Sequence, residues 1–128
     1  MRLVMTLLLA LAAVPARAAW FEIAQSAEGA IFMDPSTMRW NGDLHTVWEI
    51  QNLKQRNKDG ELSRRVLKEY DCKDERGRSL TFSTHSEQMG SGETLHSQTT
   101  PTRWRQYSPG SVGYATLKIV CAQKSNSQ

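Results

Sequence analysis

"LHTVWEIQNLKQRNKDGELSRRVLKEYDCKDERGRSLTFSTHS", residues 44–86, reads as three strands and two turns. Three runs, from Leu44, Ser63 and Arg78, carry aromatic and β-branched residues, and polar segments containing "KDG" and "ERG" separate them. Such runs read as strands, and connections this short make neighbouring strands antiparallel. A two-residue turn at Asp59-Gly60 would set Trp48 against Asp71 and Ile50 against Glu69, which buries charge. Three-residue loops, Lys58-Asp59-Gly60 and Glu75-Arg76-Gly77 with glycine at a positive-φ third position, set Trp48 against Tyr70, Tyr70 against Phe82 and Cys72 between Thr46 and Leu80. The expectation is one inward face bearing Trp48, Tyr70 and Phe82. Cys72 then points inward, and the charged residues around it form the solvated alternate face.

Before this stretch, "WFEIAQ" from Trp20 and "AIFMD" from Ala30 add two strands, and "DPSTMRW" offers Asp34 as a cap with Pro35 at a first helical position. Near the other end, "SPGSVGYATLKIVCAQ" (residues 108–123) has two readings. As a helix it takes Ser108 as cap and Pro109 as first residue, with Gly113, Leu117, Val120 and Cys121 on one stripe. As a strand it alternates Ala115, Leu117, Ile119 and Cys121. The helix, lying across the aromatic face, is the preferred reading and the strand stays open. The fold class expected is α+β: a single antiparallel sheet of five to six strands with a C-terminal helix on one face.

The chain opens "MRLVMTLLLALAAVPARAAW": a basic start, an apolar run from Leu3 to Val14, Pro15, and the triplet Ala16-Arg17-Ala18. This pattern predicts a signal peptide over residues 1–18, a single domain over 19–122 and a flexible tail over 123–128. The apolar run is shorter than the roughly 20 residues of a membrane span. No cysteine lies near the cleavage point, so neither a span nor a lipid anchor is expected, and the compartment expected is periplasmic or extracellular. The chain holds 16 basic and 13 acidic residues, and Arg2 and Arg17 leave with the signal. A balance so close to neutral gives no reason to expect nucleic acid as a partner.

Two cysteines in an oxidising compartment predict one disulfide, Cys72 to Cys121; a metal site needs more ligands, and the spacing excludes a CxxC pair. His45, His85 and His96 lack metal-ligand spacing, no G-x-S-x-G elbow marks a nucleophile, and "GSGE" at 90–93 lacks the lysine of a phosphate loop. The expectation is therefore a protein that is not an enzyme and uses no cofactor and no metal. Trp48, Trp20 and Trp104 read as core, while Trp40, beside the "NGD" turn, is a candidate exposed anchor. Lys54, Arg56, Lys58, Arg64 and Arg65 cluster around a hairpin tip as a candidate protein-binding set, although charges there also discourage edge pairing.

Trp20, "MDPSTMRWNGD", "YDC" ending at Cys72, "MGSGE", Trp104, "SPGS" and "VC" ending at Cys121 together resemble the surface-adhesin protein E-like family of exported bacterial proteins. The resemblance spans essentially the whole mature chain. It implies an antiparallel sheet with a C-terminal helix tethered by a disulfide, and a protein as binding partner, since the family's namesake binds host matrix proteins. The function expected is an exported, non-catalytic, adhesin-like interaction module that binds itself as a homodimer or another protein. The alternative is a periplasmic small-ligand carrier with a pocket between helix and sheet, disfavoured here because large residues on the inward face would fill that space.

Overall fold

The computed structural model describes residues 19–123. The expected signal peptide and nearly all of the expected tail lie outside the described residues. The elements run β1 Phe21–Gln25, β2 Gly29–Met33, a 3-10 turn Pro35–Thr37, β3 Arg39–Asn41, β4 Leu44–Leu53, β5 Ser63–Asp71, β6 Arg76–His85, a second 3-10 turn Gln88–Gly90, β7 Thr94–Gln98, β8 Arg105–Gln106 and α1 Val112–Ala122. The sheet has eight strands where five to six were expected. Six follow the order β1-β2-β4-β5-β6-β7, and the short β3 and β8 pair with β4 and β6. Every pairing is antiparallel. The strands missed, β3, β7 and β8, are short or polar enough to lack a periodic signal of their own.

The turn at Pro35–Thr37 forms as its sequence predicts. The Asp34 side chain accepts from the Ser36 amide, and Pro35 sits where a missing N–H costs nothing. Helix α1 starts later than its Pro109 suggests: Ser111, not Ser108, is the N-cap, its hydroxyl accepting from the Tyr114 amide. The helix reading holds and the strand alternative for these residues is excluded.

The register differs from expectation at both hairpins. β4 and β5 pair Leu44 with Asp71 and Trp48 with Leu67, three positions from the expected Trp48–Tyr70 pair. An odd displacement reverses which face of β4 accompanies a given face of β5. Its cause is the connection: residues 54–62 form a wide loop around a turn in which Gly60 N donates to the Asn57 carbonyl. Gly60 does have positive φ, at 82°. At the second hairpin Gly77 is not a loop residue. It lies inside β6 opposite Tyr70, and the left-handed residue is Glu75, with φ of 52°.

The core lies between the sheet and α1, where Met33, Met38, Val47, Tyr70, Leu117 and Val120 are buried, with Ile23, Tyr107 and Cys121 packed against them. Cys72 bonds Cys121 as expected, the Cα atoms 5.7 Å apart, and ties the helix to the end of β5. The expected row of Trp48, Tyr70 and Phe82 breaks up. Tyr70 is under the helix; Phe82, opposite Val66, is on the same side but farther along the strands; Trp48 is on the other face, where Arg65 lies over its ring. Trp20, Trp48 and Trp104 are all half-buried and not core.

Candidate functional site

Two features of the described residues present chemistry to solvent: the β4–β5 hairpin with its basic side chains, and a cleft beside α1. The hairpin loop is built on Asn57, whose side chain accepts from the Asp59 and Glu61 amides, and on Arg56, whose guanidinium donates to the carbonyls of Gly60 and Ser86 and lies 3.6 Å from Glu87. Arg56 is thus an internal brace. Arg64 is held by the buried carboxylate of Glu61 and lies over Phe82. At Glu61 the cost of burial is outweighed by the Arg64 and Asn57 hydrogen bonds, so its carboxyl stays below the usual range. Lys54, Lys58 and Arg65 are exposed and have no carboxylate within ion-pair reach among the described residues. Beneath them the turn Gln88–Gly90 covers the far face: Gly90 N donates to Ser63 Oγ and Met89 N to Asn52 Oδ1. The cations therefore stand on a braced ribbon.

Trp40 is not part of this patch. It pairs with His45 near the start of β4, while the hairpin loop begins after Leu53, so about 26 Å of strand separates them at ~3.3 Å per residue. The residue is 37% exposed, and its ring packs edge-on against His45 and donates through Nε1 to the Gln123 carbonyl, fastening the end of α1.

The cleft follows from the size and direction of α1. Eleven residues of helix reach about 16 Å, against about 33 Å for the ten residues of β4. The last turn of the helix stands over His45, whose Nδ1 lies 3.3 Å from the Val120 carbonyl. The first turn reaches β6 through Tyr107, whose ring fills the space against Gly77 and Gly113: a Cβ on Gly77 would stand 2.7 Å from Tyr107 Oη, and one on Gly113 2.5 Å from the ring. The helix therefore crosses the strands at one end. The rest of that face, together with residues 102–108, encloses an open cleft of about 930 Å³. The expectation that large side chains would fill the space between helix and sheet is overturned, because the register places Trp48 outside it and Phe82 beyond its lining.

At the floor of the cleft is Glu49, 1% exposed. Tyr70 Oη donates to its Oε2, while Oε1 bonds no side chain or amide among the described residues. Burial pushes the carboxyl up to about 7, against the opposing pull of the Tyr70 hydroxyl and the Lys68 charge. Burial first, and then the charge of Glu49, raises the Tyr70 hydroxyl well above its usual value. Lys68, diagonal to Glu49 across β4 and β5, donates to Tyr107 Oη at 2.8 Å. Tyr107 thus holds the ammonium away from the carboxyl, and no ion pair forms between them.

None of Glu49, Lys68, Tyr70 or Tyr107 was singled out from the sequence as a site residue. On β4 the more apolar set is Leu44, Thr46, Trp48 and Ile50, so alternation points to the wrong face; the helix covers the set His45, Val47 and Glu49. The available signal was a carboxylate in an otherwise apolar run, two residues from Val47. The three histidines behave as solvated or hydrogen-bonded side chains. His85 bonds Ser83 Oγ at 2.7 Å, and burial, then the Arg65 charge, lowers its basicity. Among the described residues no group of three His, Cys, Asp or Glu is placed to hold a metal ion, and no helix is long and apolar enough to cross a membrane.

The architecture is that of protein E from Haemophilus influenzae. Its crystal form II superposes with a TM-score of 0.65 at 14% identity, covering 84% of this chain and 90% of that one. The selenomethionine form gives 0.63 at 14% identity, covering 84% and 88%. At this identity the likeness shows the fold alone. No curated relative matches by sequence. Residues 20–122, which hold all eight strands and the whole of α1, match the family described as Surface-adhesin protein E, and the chain belongs to that family.

Proposed function

We propose that this protein is an exported, non-catalytic, adhesin-like module that binds an acidic protein partner through the β4–β5 hairpin. The observation that carries the reading is that, among the described residues, Lys54, Lys58 and Arg65 have no carboxylate partner, on a ribbon braced by Arg56–Glu87 and Arg64–Glu61. Exposed ion pairs add little to stability, so charge left unpaired on a fixed scaffold does more for partner choice and encounter rate than for the fold. Trp40 joins the same footprint only for a partner broad enough to span β4. Membership in an adhesin family supports a protein partner, and the cleavable leader pattern supports export.

The test is capture from exported extract by the mature domain, compared with a Lys54→Glu, Lys58→Glu, Arg65→Glu variant that melts within a few degrees of the parent. The parent should retain a protein that the variant does not, and retention should fall with added salt. A protein recovered equally well by both would remove the hairpin from the function.

A homodimer is part of the same proposal. The ends of the sheet, β1 and β7, are open edges, and they carry the exposed Phe21 (57%) and Leu95 (40%). Pairing two copies along one edge covers backbone groups and an apolar side chain together. Light scattering at high micromolar concentration should give twice the chain mass, and Leu95→Lys or Phe21→Lys should restore the monomer. A monomer mass for the parent would dispose of the dimer without touching the hairpin.

A further inference from the structure

We propose that the cleft beside α1 is a binding site for a small zwitterion, an amino acid or short peptide, whose ammonium meets Glu49 and whose carboxylate meets Lys68. This does not rest on the hairpin reading. The volume, about 930 Å³, falls in the range of ligand sites, roughly 300–1,000 Å³.

The floor presents an acceptor and a donor that do not satisfy each other. Glu49 lines the cleft and is almost wholly buried, and its Oε1 has no protein partner among the described residues. Lys68 spends one N–H on Tyr107 and has no carboxylate within ion-pair reach. Tyr107 itself donates to no residue among those described, and two glycines are given to seating its ring. Buried polar groups are normally satisfied, so an arrangement that keeps the carboxyl and ammonium apart leaves both free for a ligand carrying their complements. Ile31 and Val112 supply apolar wall for the remainder of the ligand, and Trp104, held between Arg76 and Arg78, stands at the rim as an optical reporter.

Binding should carry a proton signature as well as an affinity. A ligand ammonium at Oε1 favours the ionised carboxyl, so binding near pH 7 should release protons from Glu49. Among the described residues Tyr70 and Lys68 of β5 act on it, while Arg78 of β6 and Arg103, Arg105 and Tyr107 of the segment before α1 line the same cleft.

The experiment titrates the mature protein with alanine, with trialanine, and with trialanine acetylated at one end and amidated at the other. Trp104 fluorescence and calorimetry in buffers of differing ionisation enthalpy provide the readouts. Saturable binding of alanine or trialanine is expected, with the better of the two giving the ligand size, and no binding of the blocked peptide. Glu49→Gln and Lys68→Met should each weaken binding by about tenfold or more, and Glu49→Gln should abolish the proton release. Tyr107→Phe, which keeps the ring in place, should also weaken binding and guards against a misfolded Lys68 variant. The hairpin triple variant should bind as the parent does. Failure of both free zwitterions to bind, equal binding of the blocked peptide, or undiminished binding by folded Glu49→Gln would each overturn the proposal.

Discussion

Glu49 makes the pH dependence of stability legible at a single side chain. Its folded carboxyl titrates near 7 against an ordinary value of 4.5, so between those values the folded protein holds a proton that the unfolded chain has released. Stability therefore falls as pH rises through that window, by up to about 3 kcal/mol for a shift of this size. Glu49→Gln removes the term. Compared by denaturant unfolding, the variant should gain about 2 to 3 kcal/mol on the parent between pH 4 and pH 8. His85, whose depressed basicity acts in the opposite sense by costing stability as pH falls, is common to both proteins and cancels. A constant difference across that range would show Glu49 ionised in the fold. Gly77 offers a second test, of packing. A methyl there meets Tyr107 Oη at 2.7 Å, so Gly77→Ala should cost about 1 to 3 kcal/mol by overpacking. Most of that cost should vanish in a Tyr107→Ala background. Additive costs would mean that the glycine serves something other than the tyrosine.

Helix α1 is short and sits on a limited area, so the bridge from Cys72 to Cys121 contributes much of what keeps it in place. The bonded residues are 49 apart in sequence, and closing a loop of that length stabilises by about 4 kcal/mol in the chain-entropy picture. Reduction should lower the melting temperature markedly, and the double Cys72→Ala, Cys121→Ala variant should match the reduced protein. A melting temperature indifferent to reductant would contradict this. The strands themselves test the register. Phe82 is half-buried beyond the helix and Leu117 fully buried beneath it, so Phe82→Ala should cost about 1 to 2 kcal/mol and Leu117→Ala about 2 to 5. Equal costs would restore Phe82 to the core. Five strands, the capped turn at Pro35 and the helix were legible from residue type and turn chemistry. The pairing was not, because a glycine with positive φ fixes a turn but not the length of the loop around it. Gly60 has that conformation within a nine-residue connection, whereas Gly77 is glycine for want of room. The cleft was illegible for the same reason: once Trp48 is assigned inward, Glu49 is assigned to solvent.

On the scale of the whole molecule, a helix clamped across one end of a long sheet sets the surroundings of both proposed sites. It lies away from the 54–62 loop, near which Lys54, Lys58 and Arg65 have no ion-pair partner among the described residues, and it leaves the helix-side face open over Glu49 and Lys68. The basic residues were legible as a group, but the fold divides their work, with Arg56 and Arg64 bracing the ribbon that the others stand on. Photo-crosslinking in the exported compartment, with a crosslinking residue placed at Lys58 in one protein and at exposed Lys118 of α1 in another, reads out whether the hairpin is the partner-binding element. A protein adduct is expected from position 58, lost when Lys54 and Arg65 are reversed in charge, and none from position 118. An adduct from position 118 with none from position 58 would contradict it.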